Sequence, residues 1–311
     1  MNLWPDDSEP DQNRHDSSML MGQRRRLINI AYRLLGSLAD AEDAVQETFT
    51  RWYALTQAQR DAIVSPPAWL STVVSRVCLD QLGSARAQRE QYVGQWLPEP
   101  VPDAAEWSDS QDLGTADPAD RITLDESIDM AFLVVLDSMT PAERVTFLLH
   151  DVFRYPFAEV AEVVGRTPAA CRQLASSARR RIRAAQPVET PAAQRARVVR
   201  GFKQAWEAKD IGALVGLLDP TAVAVADGGG VVAASLEPIE GGEHVARYFV
   251  GLAQRAGTLN LLERTVNGQA GLVAIHEGET AAVYAFDIAG DRIQRIWAVR
   301  NPAKLRLWTE L

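Results

Sequence analysis

Along the first third of the chain, apolar residues return every three or four positions. Leu27, Ile30, Ala31, Leu34 and Leu35 share one helical face, and Gly36-Ser37 closes that run. The following "AEDAVQETF" predicts a second helix, with Asp40 as its cap and acids in the first turn, where the helix dipole favours them. "QAQRDAIVSPP" is polar and ends in two prolines, so it predicts a loop. "AWLSTVVSRVCLDQLGSARAQRE" predicts a third helix with Trp69, Val73, Val77 and Leu79–Leu82 along one side. Periodicity then lapses through residues 101–120, whose Pro, Asp and Ser content predicts a linker. Helix resumes around Leu124 to Asp137. Thr140, Pro141 and Glu143 mark another capped start, and "PFAEVAEVVG" predicts a short helix ending at Gly165. The next helix is capped by Thr167, opened by Pro168 and stopped by Pro187.

Beyond residue 188 the period changes. "RARVVRGFKQAWEAKDIGALVGLL" predicts two helices. "AVAVAD", "GGGVVAAS" and "GLVAIHEGETAAVYAFDIAGDRIQRIWAVRN" predict strands, with a helix at "GGEHVARYFVGLAQR" between them. Turn signals at GG, NG, EGE and AGD indicate an α+β unit with an antiparallel sheet.

Length and composition fit this division. The 311 residues are enough for two or three domains, and 47% hydrophobic with 23% charged residues is ordinary for globular proteins. No apolar run approaches the roughly 20 residues of a membrane span, and the acidic, Pro-broken N-terminus resembles no targeting peptide, so a cytoplasmic location is expected. Cys78 and Cys171 lack metal-ligand spacing and read as core thiols. The net charge of −9 argues against a nucleic-acid binder only until its distribution is examined. Residues 17–89 hold 9 Arg and 6 acids, residues 90–126 hold 10 acids and one Arg, and Arg166 to Arg183 holds 6 Arg and no acid. Two basic blocks flank an acidic tether, and local charge is what nucleic acid meets.

Residues 156–184 have the grammar of a helix-turn-helix, whose second helix offers Arg172, Gln173, Ser176, Ser177, Arg179 and Arg180 while Ala170, Leu174, Ala175 and Ala178 can pack inward. Arg and Gln read base edges and clustered Arg neutralises phosphates; the alternative is a bundle with one solvated Arg face. Asp40, Glu42, Asp43, Gln46 and Glu47 form an acidic helix face, either solvated or a dock for a basic partner. The third helix also offers Trp69, at the start of its stripe, with Thr72, Arg76 and Gln81, and aromatic and Arg groups can stack on splayed bases. "YVGQWLPEP", Tyr92 to Pro100, places Tyr92, Trp96 and Leu97 where a connector is expected, so they either anchor against another domain or cap the end of the first helical unit.

"AYRLLGSLADAEDAVQETFTRWYA" with "AWLSTVVSRVCLDQL" resembles region 2 of bacterial extracytoplasmic-function (ECF) sigma factors, and "MTPAERVTFLLHDVFRYPFAEVAEVVGRTPAACRQLASSARRRIR" resembles their region 4. "YVGQWLPEP", "DGGG" and "NPAKL" resemble a subgroup with a C-terminal SnoaL-like, NTF2-fold extension. The resemblance implies two all-α domains plus an α+β cone: region 2 at 17–90, a linker at 91–123, region 4 at 124–186 and the extension at 190–311. It implies core RNA polymerase as partner, through the β′ clamp and β flap, with the Asp40–Glu47 face on the clamp. Loop 57–67 and Trp69, Thr72, Arg76 and Gln81 would recognise the −10 element. Arg166, Thr167, Arg172, Gln173, Ser176, Arg179 and Arg180 would read the −35 element. Tyr92, Trp96, Leu97, Asp227, Asn301, Pro302 and Lys304 would join the domains. Thr72 and Arg76 replace the family's frequent Arg and Asn, Val231 stands where a basic residue is usual, and Ala303 where an Asp is usual.

Some NTF2-fold proteins are enzymes. Trp206, Tyr284, Phe286 and Trp297 could line such a pocket or form plain core, and Asp227, His244, His276 and Asp287 are the titratable candidates. The reading is a monomeric, non-enzymatic promoter-specificity factor that needs no metal or cofactor. Its extension tunes its activity, with room for an unknown small ligand. The rivals are a one-component regulator with a ligand-sensing domain and an NTF2-fold isomerase or hydrolase. The first leaves "DAEDAVQETF" without a task.

Overall fold

The computed structural model describes residues 11–89, 92–102, 128–185, 190–255 and 259–309. Its first unit packs α1 (Asp11–Leu35), α2 (Leu38–Tyr53) and α4 (Pro66–Arg89), with the short α3 (Gln57–Asp61) between. Gly36, at φ 71°, ends α1 in the left-handed conformation that only glycine adopts without a Cβ penalty. Ser37, not Asp40, caps α2; its hydroxyl accepts the Asp40 N–H at 3.3 Å. The helix begins at Leu38, ahead of the acidic run, because Leu38 and Ala41 bury on the same face as Val45 and Trp52. The expected loop is also partly helical: a Thr56–Gln59 capping box builds α3. Pro66 then opens α4 rather than closing a loop, since proline suits a first helical turn.

The second unit comprises α5 (Met130–Asp137), α6 (Pro141–Phe147), α7 (Phe157–Val164) and α8 (Pro168–Ala185). Asp129 caps α5, so the helix starts later than the expected Leu124, which lies outside the described residues along with most of the linker. Thr140 and Glu143 make the capping box foreseen for α6, and a wider π turn, Leu148–Val152, follows it. Gly165, at φ 66°, turns the chain between α7 and α8, and Thr167 accepts the Ala170 N–H at 3.2 Å. α4 packs on α6 and α7, so Leu70, Val74 and Cys78 share a single apolar core with Val145, Val160 and Cys171. Both cysteines are buried and unbridged.

In the third unit, α9 (Ala192–Glu207) and α10 (Ile211–Leu217) precede a six-stranded sheet with α11 (Gly242–Arg255) inserted. The strands are β1 (Leu218–Asp227), β2 (Ile239–Glu240), β3 (Asn260–Val266), β4 (Gln269–His276), β5 (Glu279–Ala289) and β6 (Arg292–Val299), in the order β2-β1-β6-β5-β4-β3. Pairing is antiparallel, as expected, except that β1 runs parallel to β6. "GGGVVAAS" is a turn and loop rather than a strand, since consecutive glycines do not hold a pleat. β3 was not foreseen: as an edge strand it buries Leu261 and Val266 while Glu263, Arg264 and Thr265 stay exposed.

Each sheet face is covered differently. Phe202 and Trp206 of α9 and Phe249 of α11 cover one face against Tyr284 and Phe286. The opposite face buries Val273, Val283, Trp297 and Val299 against Leu97 of the linker and Met130 of α5. α5 is therefore sandwiched, because its Leu133 and Leu136 belong to the helical core.

Candidate functional site

Tyr92 to Val101 crosses from the first helical unit onto the sheet, and its side chains converge on Asp227 at the end of β1. The Tyr92 hydroxyl donates to Asp227 Oδ1 at 2.6 Å, and the Leu97 N–H donates to Oδ2 at 3.0 Å. Lys304 Nζ donates to the same Oδ2 at 2.7 Å and to the Leu97 carbonyl at 2.5 Å. Asn301 Nδ2 donates to the Tyr92 hydroxyl at 2.9 Å, and its Oδ1 holds the 3₁₀ turn Pro302–Lys304 by accepting the Ala303 N–H. The ammonium also lies 4.3 Å from the Trp96 ring centroid and 5.3 Å from that of Tyr92, within cation–π range. Asp227 and Lys304 are 0% and 9% exposed, so this is a dehydrated pair, further hydrogen-bonded by the linker and by the Gly229 N–H. Burial and the neighbouring carboxylate push the Tyr92 phenol well above its ordinary range.

The next residues grip the first helical unit. Trp96 lies over Gly36, where an added Cβ would come within 2.8 Å of its ring. The Glu99 N–H donates to the Gly36 carbonyl at 2.8 Å, and Glu99 Oε2 accepts the Leu38 N–H at 2.8 Å, satisfying a donor at the start of α2. The Tyr32 hydroxyl donates to the Glu99 carbonyl at 2.7 Å. On the sheet side, Trp308 Nε1 donates to the Pro100 carbonyl at 2.9 Å. Of the seven residues expected to join the domains, Tyr92, Trp96, Leu97, Asp227, Asn301 and Lys304 come together here, and the exposed Pro302 opens the turn that carries Lys304. Sequence reasoning missed Gly36, Glu99 and Trp308; a Gly ending a helix and a Glu between two prolines were the available signals. Val231 and Ala303, the two departures in the C-terminal domain, are exposed, and Ala303 enters this network only through its backbone N–H.

The promoter-directed candidates are distributed unequally. Asp40, Glu42, Asp43, Gln46 and Glu47 are all exposed on α2, with Glu42 and Glu47 engaging Arg24 and Arg51. Trp69 packs edge-on against Trp52 at 5.3 Å and is half-buried, as is Thr72. Arg76 Nη2 donates to the Glu162 carbonyl on α7 at 2.9 Å, placing the second helical unit against this part of α4. Gln81 Oε1 is buried without a hydrogen-bond partner among the described residues. On α8, Arg172, Gln173, Ser176 and Arg180 are exposed, as are Arg166 and Thr167 before it. Arg179 is not: its Nε donates to Asp151 Oδ1 at 2.6 Å, so it braces the π turn. Arg172 stands 5.5 Å over the Phe157 ring.

The aromatic residues of the C-terminal unit are core. Trp206, Tyr284 and Phe286 pack against Phe202 and Phe249 with centroids 4.7–6.0 Å apart, whereas Trp297 lies on the other sheet face. Asp227 belongs to the linker network, His244 is exposed with Nδ1 2.9 Å from the Glu240 carbonyl, and Asp287 lies 3.7 Å from Arg295. His276 Nδ1 is buried without a partner among the described residues. Those residues contain no cluster of three metal-ligating side chains and no helix long and apolar enough to cross a membrane.

Two helical units, one with a helix-turn-helix, joined through a linker to a sheet domain define a class. Residues 20–88 match the Sigma-70 region 2 family and residues 129–182 the Sigma-70 region 4 family. The chain belongs to the ECF RNA polymerase sigma factors. It is 38% identical over 295 residues to the ECF RNA polymerase sigma factor SigJ of Mycobacterium tuberculosis, covering 90% of each chain. It is 35% identical to the probable sigma factor SigI of the same species, covering 94% of this chain and 96% of that one. The crystal structure of M. tuberculosis SigJ superposes with a TM-score of 0.70, covering 93% of this chain and 98% of that one.

Proposed function

We propose that this protein binds core RNA polymerase and promoter DNA, and that its C-terminal domain restrains it when unbound. The domain division at 17–90, 91–123, 124–186 and 190–311 serves these roles. The exposed acidic face of α2 docks on the β′ clamp. Trp69, Thr72 and Arg76 meet the −10 element, and Arg166, Arg172, Gln173, Ser176 and Arg180 read the −35 element, with region 4 also meeting the β flap.

One observation carries the restraint: the dehydrated Asp227–Lys304 pair is completed by backbone groups of the linker, so the linker leaves only by giving up charge-assisted hydrogen bonds on both members of the pair. Region 4 lies at the same time across α4, with Arg76 occupied by α7. Engaging two separated promoter elements requires both contacts to open. The aromatic packing of the face under α9 and α11 favours a regulatory over an enzymatic role.

The test is run-off transcription and core-polymerase pull-down with the full chain, a chain ending near residue 186, and Lys304→Met. Polymerase capture with altered transcription in both variants is expected. Unchanged transcription in both would remove the restraint, and DNA binding without polymerase capture would favour the one-component regulator.

A further inference from the structure

Asn267 occupies the tip of the β3–β4 hairpin at φ 51°, a left-handed conformation that asparagine tolerates better than most residues. Hairpin tips normally face water. This one is 1% exposed. Its backbone N–H donates to the Val101 carbonyl at 2.9 Å, and its Oδ1 accepts the Val101 N–H at 3.2 Å, so the linker pairs with it as a strand would. Its Nδ2 donates in two directions, to the Tyr32 hydroxyl on α1 at 2.9 Å and to the Ile128 carbonyl at 2.8 Å. Ile128 directly precedes Asp129, the cap of α5. One amide from the C-terminal domain therefore meets region 2, the linker and the start of region 4.

The hydrogen bonds described for the Asp227–Lys304 network run to the linker and within the C-terminal domain. Asn267 is different because Val101 and Ile128 bracket the segment between the two regions, and both end on this side chain. An amide's two N–H groups lie in one plane, so its two acceptors fix each other's positions through it. Withdrawing either leaves a buried donor unpaired, which weakens the case for keeping the other.

We propose that Asn267 is a positioning residue that couples the release of region 2 to the release of region 4. The proposal rests on the restraint described above and adds its point of coordination. An aspartate there keeps the shape but offers no donor: it faces the Ile128 carbonyl acceptor to acceptor, and it pairs with the Tyr32 hydroxyl only by drawing that proton away from the Glu99 carbonyl, so both contacts are disturbed.

Hydrogen–deuterium exchange of the full-length protein, followed by mass spectrometry, tests this. In Asn267→Asp, exchange at residues 32–38 and 128–133 rises together, by at least about tenfold, with β5 and β6 unchanged. Tyr32→Phe is the sharper variant and guards against simple misfolding of the hairpin. Among the described residues the hydrogen-bonded route from Tyr32 to Ile128 runs through the Asn267 amide, and phenylalanine keeps the ring's place in the apolar core that Tyr32 shares with Ile128, so faster exchange there reports coupling through Asn267. Tyr92→Phe serves as the control: it loosens residues 92–97 and leaves 128–133 as in the parent. If Tyr32→Phe leaves 128–133 unchanged, or Asn267→Asp loosens only one segment, the coupling is refuted. Run-off transcription on the same variants separates the two ideas. Coupled opening without altered transcription keeps the coupling through Asn267 and removes the restraint; altered transcription on deleting the C-terminal domain without coupled opening does the reverse.

Discussion

Asp227 receives four hydrogen bonds, from Tyr92, Leu97, Gly229 and Lys304, and only one of these donors carries charge. Removing a partner from a dehydrated ion pair typically costs about 3–5 kcal/mol, because the surviving charge stays buried. In Lys304→Met three neutral donors remain on the carboxylate, so a loss at the lower end, about 3 kcal/mol, is expected in urea unfolding. Tyr92→Phe removes two hydrogen bonds, at about 1 kcal/mol each, and leaves the ion pair. The same measurement therefore ranks the two variants, and equal losses would show that the charge pair contributes nothing beyond its hydrogen bonds. Glu99 behaves differently with pH. Burial raises its pKa above the ordinary carboxylate value, opposed by the Leu38 N–H. The folded state then holds a proton that the unfolded chain has released, so stability falls as pH rises through the interval between the two pKa values. Glu99→Gln keeps the acceptor without the charge. It is expected to flatten that fall in urea midpoints taken from acid to neutral pH, and an unaltered slope would count against Glu99 as its source.

Two glycines at helix ends separate local strain from contact. Gly165 and Gly36 both have positive φ, near 70°, but a Cβ at Gly165 meets nothing within 4 Å whereas one at Gly36 meets the Trp96 ring. Gly165→Ala is expected to cost only left-handed strain, about 1 kcal/mol, seen as a lowered thermal midpoint with Trp fluorescence unchanged. Gly36→Ala adds displacement of Trp96, so its emission shifts as well. The helix-turn-helix was legible in the sequence because caps, prolines and Gly165 act locally, and "YVGQWLPEP" stood out because exposed aromatics in a connector lack a local reason. What escaped depends on partners far along the chain. Ser37 rather than Asp40 caps α2 because Leu38 is buried, β3 is an edge strand that buries only two residues, and Asn267 is anchored by Tyr32 and Ile128. Arg76 and Arg179 read correctly as polar, yet only tertiary packing shows both occupied by protein.

At the scale of the whole molecule, neither sigma region closes its own core. Region 2 and region 4 share one apolar cluster, and α5 serves that cluster with Leu133 and Leu136 while lending Met130 to the outer face of the sheet. The C-terminal unit, by contrast, has a separate interior around Trp206 and Phe249. Domains that share buried elements unfold as one when the shared contacts exceed each domain's own margin of stability, and stabilities of about 5–15 kcal/mol make that margin small. The intact chain is therefore expected to unfold in a single step, with circular dichroism and Trp fluorescence coincident. Met130→Asp places an unpaired charge on the sheet-facing side of α5, where it costs more than the lost methionine packing. The sheet unit then loses its cover while keeping its interior. Two transitions should replace one, and the later one should carry the fluorescence change of the buried Trp206. A single transition moved to lower urea would mean that the helical regions and the sheet remain one cooperative body, with opening on polymerase then requiring more than release of this face.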